Sequence, residues 1–509
     1  VQSNSPSQIF GVSYETPIMV AVFGHILLWS LGPAILLGNL HTDSLEAAYW
    51  GHDWVLGYSK HPPLTSWLLD SVLHIPVSPL FTFMLLSQVT VGLACLFIWQ
   101  TIRLYASRQT AALGAFLYVL APAANIYAVQ INHNSMLAPF FAATLYFGLS
   151  YLEEGRWTHA VALGLSVGFG AVTKYEIAFA VVPLLLLTVM IPRFRSAYSN
   201  PKSYIAVAIA VLIFMPHLLW LAMHNWSSFA RAMGEQRIDS LEHFNTSVIN
   251  ALIGAVALVV VPSLLLLSTH KLRTQDDDIV RPDRELIAFV IFVAPIIGLL
   301  IMSFATWQVL KPLWVLPLTS STVIGLALFF PAGSFGDGLS ETRSARLLLT
   351  LTATAFAGFI LYLAIAAGIG RPLTAYSAHT EIMAQDALSL WRKHSTEPLS
   401  CVIINERKMG AATAMWLHNQ PVVLDMTSPE WVSSPQRSQC LAQGGIAVLL
   451  EPSDDPRLQS SMPQACVDQK VDINIQAKYM PSPFVWQARL IYVPAAQKPN
   501  CAVLQETAH

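Results

Sequence analysis

Charged side chains are scarce in this sequence. Asp, Glu, Lys and Arg make up 11% of its 509 residues, against about 25% in ordinary soluble domains. A water-soluble body of this size cannot coat its surface with so few charges, so lipid must cover much of it. Lys and Arg are missing from the N-terminal stretch, where neither precedes Lys60. There is no basic excess to mark a nucleic-acid footprint, since the formal net charge is −2. No G-x-G-x-x-G and no P-loop occurs, so nothing marks a nucleotide site. No H-E-x-x-H or similar metal-ligand spacing occurs either. Internal repeats and low-complexity tracts are also lacking. The chain begins with Val rather than Met, as a truncated or atypically initiated chain would.

Apolar runs take the place of charge, with 54% hydrophobic residues and a mean hydropathy of +0.52. A membrane-spanning helix needs about 20 mostly apolar residues. Eleven segments meet that description: 17–40, 79–100, 109–128, 135–152, 158–174, 175–192, 203–223, 248–268, 286–304, 313–331 and 347–369. The first is too long for the apolar core of a signal peptide, and no small-residue cleavage site follows it. The run from 158 to 192 is split at Thr173-Lys174-Tyr175-Glu176, because ionisable residues in mid-bilayer are costly. One alternate set of loops carries Arg103, Arg108, Arg156, Arg193, Arg195, Lys202, Lys271, Arg273, Arg281, Arg284, Arg343 and Arg346. The opposite set has only Lys60, Lys174, Arg231, Arg237 and Lys311. The positive-inside rule makes the first set cytoplasmic. The odd helix count then puts the N-terminus inside and the C-terminal region outside.

Residues 371–509 read as a separate soluble domain, beyond a membrane domain spanning 1–370. A helix is expected at Ala378–His394, a strand at Cys401–Ile404, a helix at Met409–Leu417 and strands at Val422–Leu424 and Ile446–Leu450. Alternation over Val471–Tyr479 and Phe484–Val493 suggests further strands. The order β-α-β-α-β points to a small α/β layer. Cys401, Cys440, Cys466 and Cys501 all fall here, while Cys95 lies in an apolar run. An even set in one soluble region fits disulfides in an oxidising compartment, here the periplasm; four unrelated thiols is the alternative.

The first outward loop, residues 41–78, holds the densest chemistry. Asp43 and Glu46 stand three apart and share a helix face. Trp50 and Trp54, one helical turn apart, suit a helix lying at the interface. An ordinary polar loop with an aromatic belt is the plain alternative. The pattern D-x-x-E-x-x-x-W-x-x-x-W-x-x-G-Y-x-K-H-P-P-L, from Asp43 to Leu64, resembles the first periplasmic loop of family 39 glycosyltransferases and their aminoarabinose-transferase relatives. Similar pieces follow in order: Asn132-His133-Asn134-Ser135, Thr173-Lys174-Tyr175, His224-Asn225-Trp226-Ser227-Ser228-Phe229, and Lys311-Pro312-Leu313-Trp314-Val315-Leu316-Pro317. The likeness covers about residues 17–330 and is looser beyond.

The resemblance implies a polytopic, mainly α helix bundle of C-type glycosyltransferase architecture with a C-terminal periplasmic α/β domain. It implies inverting transfer of a sugar from a polyprenyl-phosphate donor, at the periplasmic face of a bacterial inner membrane. Lipid A or lipopolysaccharide is the favoured acceptor, and a protein or another envelope glycan the runner-up. Better-known members carry an adjacent Asp-Glu pair in this loop. Here the spacing is Asp-x-x-Glu, which leaves the base between Asp43 and Glu46 and favours Asp43, since the sub-pattern begins with Asp.

The chemistry accounts for the residue types. An acceptor hydroxyl needs a base, and the departing lipid phosphate needs cations or hydrogen-bond donors. Lys60, Lys174, Arg237 and Lys311 are the candidate cations. Tyr58, His61, Asn134 and Tyr175, from the same motifs, complete the expected donor-phosphate and substrate-binding set. Each cation also has a plain reading: Lys174 pairing with Glu176 or snorkelling, Lys311 as an interfacial anchor, Arg237 in a solvated ion pair. No cofactor is demanded, although a divalent cation bridging Asp43 or Glu46 and the donor phosphate is compatible with this set. The competing classes are a transporter or flippase and an envelope scaffold. A transporter favours polar groups near the midplane and repeated halves. Here the polar residues cluster at one face, with His217 the main exception.

Overall fold

The structure, a computed structural model, describes residues 16–228, 238, 240–255, 283–309, 312–330, 350, 352–361, 380–417, 419–426, 435–450, 467–473 and 486–495. Its helices run in chain order as α1 (Thr16–Leu36), α2 (Thr42–Gly51), α3 (Leu64–Leu73), α4 (Pro79–Arg103), α5 (Arg108–Leu120), α6 (His133–Glu154), α7 (Trp157–Ala171), α8 (Ala178–Met190), α9 (Pro201–Met223), α10 (Leu241–Ala255), α11 (Arg284–Thr306) and α12 (Thr319–Phe329). After these come α13 (Thr352–Leu361), α14 (Thr380–His394), α15 (Arg407–Met415) and α16 (Pro435–Gln443). The strands are β1 (Cys401–Ile404), β2 (Val422–Asp425), β3 (Gly445–Leu450), β4 (Val467–Ile473) and β5 (Trp486–Val493). Two compact units result. One comprises residues 1–30, 55–65 and 85–357, and the other 31–54, 66–84 and 358–509.

Five described helices are long and apolar enough to cross a membrane: Met19–Leu36 within α1, and α4, α6, α9 and α11. Tyr175–Met190 and Pro192–Ser199 add a sixth if counted as one span, bent by 110°. The chain is a multi-pass membrane protein. Helix α9 shows why lipid is required, since Leu212 on its outer side is 74% exposed. Its other side packs on α7. A Cβ at Gly164 would lie 2.5 Å from the Ala206 carbonyl oxygen, and one at Gly168 would lie 2.9 Å from Ile213. Small residues let the two backbones approach, the usual device for helix pairs in lipid.

The expected spans at 109–128 and 313–331 are each a short helix joined to a 3-10 turn. The segment at 109–128 is α5, followed by a 3-10 turn at Pro122–Ala124, and the segment at 313–331 is a 3-10 turn, Pro312–Leu318, followed by α12. At 13 residues, α5 is roughly 20 Å long, short of a hydrocarbon core of about 30 Å. Ala111, Ala112, Ala115, Phe116 and Val119 of α5 are buried, as is most of α12. Their apolar character serves protein contacts. The break expected at 173–176 is present: α7 ends at Ala171, a 3-10 turn occupies Tyr175–Ile177, and α8 starts at Ala178. Of the expected spans at 248–268 and 347–369, residues 256–268, 347–349, 351 and 362–369 lie outside the described residues, as do Arg237, Lys311, Cys466 and Cys501.

The C-terminal residues form a five-stranded sheet of order β2-β1-β3-β5-β4. Strands β2, β1 and β3 are parallel, and β5 and β4 add antiparallel. All four β1 side chains are buried, as expected of a central parallel strand covered on both faces. Strands β1, β2, β3 and β5 lie within two residues of their expected positions, whereas the strand expected at Val471–Tyr479 lies at Val467–Ile473. Cys401 at the start of β1 is disulfide-bonded to Cys440 in α16. Thr380 Oγ1 donates to the Gly38 carbonyl at 3.4 Å, and Gln420 Nε2 donates to the Leu73 carbonyl at 2.8 Å. The 31–54 and 66–84 stretches are thus bound into the same unit as the sheet.

Candidate active site

Helix α2 carries the two loop carboxylates. His41 caps it: its Nδ1 accepts from the Asp43 backbone N–H at 3.2 Å, which satisfies one of the orphan donors of the first turn. An imidazole nitrogen that accepts carries no proton. The 3.7 Å approach of Asp43 Oδ2 to the same Nδ1 is therefore not an ion pair in this geometry. Asp43, in that first turn, is 46% exposed and stands at the positive end of the helix dipole.

Glu46, one turn on, is in a different situation. Its side chain is 8% exposed, and its Oε1 accepts from Arg407 Nη1 at 2.8 Å. Arg407 Nε in turn donates to Asp425 Oδ2 at 2.6 Å. The Tyr49 hydroxyl, on the next turn of α2, donates to the same Asp425 oxygen at 3.3 Å. Burial pushes the Tyr49 phenol well above its ordinary value, and the negative charges of Glu46 and Asp425 push it further. Arg407 is the first residue of α15, just after β1, and Asp425 ends β2. Ile404 and Asp425 are register partners in that parallel pair. The two groups therefore sit at the carboxyl ends of neighbouring parallel strands, where open α/β sheets place their binding residues.

The other unit gathers the cationic motifs. Asn132 caps α6 in a reciprocal box: its Oδ1 accepts from Asn134 N and Ser135 N, and Ser135 Oγ accepts from Asn132 N at 2.8 Å. This box fixes His133 and Asn134 in the first turn. Asn134 Oδ1 accepts from Lys174 Nζ at 2.7 Å, and Lys174 Nζ also lies 2.5 Å from Glu176 Oε1. The Trp314 ring centroid is 6.0 Å from the same ammonium. The plain reading of Lys174, a pair with Glu176, is thus physically present, and Asn134 is added to it. His133 stacks on His61 with ring centroids 3.9 Å apart. His133 is 4% exposed, and its Nε2 has no hydrogen-bond partner among the described residues.

A second knot lies in the same unit. His217 Nδ1 is 2.8 Å from the Leu56 carbonyl, which can only accept, so Nδ1 carries the proton. Nε2 must then accept, and Tyr175 donates its hydroxyl to it at 2.8 Å. Ser228 Oγ donates to the Tyr58 carbonyl at 2.5 Å, and Tyr58 N donates to the His61 carbonyl at 3.1 Å. Gly57 is required here by close approach, because a Cβ would run into the Trp220 ring and His217. The polar midplane candidate His217 is therefore a hydrogen-bonded buttress of the Leu56–Gly57 backbone that leads into Tyr58.

The structure brings His61, Asn134 and Lys174 into one cluster together with His133, and joins Tyr58 and Tyr175 through His217 and Ser228. Asp43 and Glu46 share α2, but only Glu46 is bound by the α/β layer. Three participants were not singled out as site residues from the sequence: Arg407, Asp425 and His133. A strand-end rule could have flagged Arg407 and Asp425. Nothing local indicates that Arg407 meets a glutamate 361 residues earlier. Among the described residues there is no group of three or more His, Cys, Asp or Glu able to hold a metal ion.

Residues 60–220 match the family described as dolichyl-phosphate-mannose-protein mannosyltransferase. The lipid A galacturonosyltransferase RgtD of Rhizobium johnstonii is 25% identical over 190 residues, which are 37% of this chain and 39% of that protein. The lipopolysaccharide core galacturonosyltransferase RgtA of the same organism is 24% identical over 197 residues, 37% of this chain and 38% of that one. The chain thus aligns over less than half the length of these curated relatives. ArnT from Cupriavidus metallidurans, solved with undecaprenyl phosphate, superimposes over 94% of this chain and 98% of its own, with a TM-score of 0.57 at 13% identity. Its apo structure gives a TM-score of 0.56 at 15% identity. The fold is that of ArnT, and residues 60–220 are similar to the dolichyl-phosphate-mannose-protein mannosyltransferase family.

Proposed function

We propose that this protein is an inverting glycosyltransferase that moves one sugar from a polyprenyl-phosphate carrier to lipid A or the lipopolysaccharide core. The reaction takes place at the periplasmic face of the inner membrane, with the N-terminus cytoplasmic and the α/β layer periplasmic. The observation that carries the reading is the division of labour on α2. Asp43 is half-exposed at the helix start, while Glu46 is buried and paired, so one carboxylate is available to take a proton from an acceptor hydroxyl. The leaving group is a lipid phosphate and needs no protonating acid. It needs positive charge and hydrogen-bond donors as the glycosidic bond breaks, and Lys60, Lys174, Asn134, His61 and Tyr175 are assigned that role, with Arg237 and Lys311 alongside them. A single displacement inverts the anomeric carbon. The acceptor class is supported by the galacturonosyltransferase relatives, the donor class by the ArnT fold, and the outward placement of the α/β layer by its disulfide.

The test is sugar transfer by purified protein in lipid, from radiolabelled polyprenyl-phosphate sugars to a lipid A extract. Asp43→Asn is expected to abolish transfer at unchanged protein level, and Glu46→Gln to leave measurable turnover. Loss with Glu46→Gln alone would overturn the assignment of the base. Absence of donor consumption by the wild type would overturn the enzyme reading and return the chain to the transporter class.

A further inference from the structure

Arg407 has no place in the chemistry above, yet it bridges the α/β layer to the helix that carries the proposed base. Its guanidinium uses two edges on two carboxylates: Nε on Asp425 at 2.6 Å and Nη1 on Glu46 at 2.8 Å. Both carboxylates are nearly dry, at 3% and 8% exposure. One cation thus serves two anions, and the Tyr49 hydroxyl supplies a further donor to Asp425. Glu46 and Tyr49 lie three apart on one side of α2, and Asp43 precedes Glu46 by the same interval. Fixing Glu46 and Tyr49 therefore fixes the rotation and tilt of the turn that presents Asp43. A rigid element holds a reacting group far better than a loose loop, and a displacement of about 1 Å can cost about a hundredfold in rate.

We propose that Arg407 is a positioning residue for catalysis: with Asp425 it clamps α2 through Glu46, so that the α/β layer sets the orientation of Asp43. The inference rests on the transferase reading for its kinetic consequences but not for the clamp itself. The clamp also gives the second carboxylate of α2 a use, since Glu46 is the handle by which the helix is held. Lys cannot substitute fully, because a point charge on a flexible stem lacks the planar fork that reaches two carboxylates at once.

The experiment combines two readouts on full-length protein in lipid, for wild type, Arg407→Met, Arg407→Lys and Arg407→Met/Glu46→Gln. Hydrogen exchange of the 42–51 amides reads the clamp directly and needs no activity. Arg407→Met should speed that exchange at least tenfold while β1 and β3 stay protected. In the transfer assay Arg407→Met should lower kcat about 10- to 100-fold, leaving KM for the donor and the acidic limb of the pH profile in place. Arg407→Lys should recover part of the loss. Adding Glu46→Gln to Arg407→Met should not reduce turnover further, because the handle is already disengaged. Unchanged exchange in Arg407→Met overturns the clamp whatever the kinetics. Faster exchange with kcat within twofold of wild type overturns the positioning role. An acidic limb that moves upward in Arg407→Met, with no turnover in the double variant, overturns it too, since Glu46 would then be the base and Arg407 its charge partner. If wild type transfers no sugar while the exchange result holds, the transferase reading fails and the clamp stands as an architectural contact only, which also overturns the catalytic role.

Discussion

Removing the Cys401–Cys440 bond tests both the energetics of the α/β layer and the side of the membrane it occupies. The two cysteines are 39 residues apart, and the bond closes a loop that contains α14's successor strand β1, helix α15 and strand β2. In the chain-entropy picture a closed loop of about this length stabilises the folded state by about 4 kcal/mol. The bond also ties the first residue of the central strand to α16, and both sulfurs are buried in the small core with Ile403, Leu424 and Ala447. Replacing both cysteines by Ala adds a packing loss to the entropy term. We expect Cys401→Ala/Cys440→Ala to lower the transition of the α/β layer by at least the 2–5 kcal/mol typical of a native bond in a small secreted domain, while helix content of the membrane unit persists. The assay is denaturant unfolding in detergent, followed by proteolysis within 380–495, with and without reductant. Non-reducing mass spectrometry on protein prepared without reductant should find Cys401 joined to Cys440. Two free thiols in that sample would refute the bond and the periplasmic placement it supports, and an unfolding transition indifferent to reductant would refute the stabilisation.

Lys174→Met should destabilise the membrane unit by about 3–5 kcal/mol, because it leaves Glu176 without its buried cation. Lys174→Met/Glu176→Gln should regain most of that stability but not sugar transfer, and recovery of transfer would reduce Lys174 to a structural partner. The Tyr49 phenol, raised by burial and by the Glu46 and Asp425 charges, stays neutral in the fold where the unfolded chain ionises near pH ~10. Its contribution is present in full below that pH and is lost as pH rises beyond it. Thermal unfolding between about pH 9 and 11 should therefore fall less steeply for Tyr49→Phe than for wild type, and parallel curves would contradict the neutral buried phenol. Asn132→Ala removes the side-chain half of the α6 capping box and should cost about 1 kcal/mol, read as a lower unfolding midpoint. It should also loosen the Asn134–Lys174 contact, seen as a higher donor KM.

Much of the molecule was legible in the residues alone. The scarcity of charge required lipid, and windows of about 20 apolar residues located α1, α4, α6, α9 and α11. The cost of burying Lys174 and Glu176 in lipid placed a chain break where the structure has a 3-10 turn. Short apolar runs bounded by turn residues located β1, β2 and β3 nearly to the residue, since a strand covered on both faces must be apolar throughout. Helices α5 and α12 were read as spans because hydropathy does not distinguish a side chain that faces lipid from one that faces protein.

Composition and spacing, which depend only on local physics, determined the membrane class, the α/β layer and the loop pattern from Asp43 to Leu64. Spacing left Asp43 and Glu46 as near equals on one helix face. Tertiary structure alone separated them, by bringing Arg407, held by Asp425 at the ends of two parallel strands, onto Glu46 and leaving Asp43 half-exposed. A side chain's partners across hundreds of residues are set by how the chain closes on itself, and no local pattern encodes that closure.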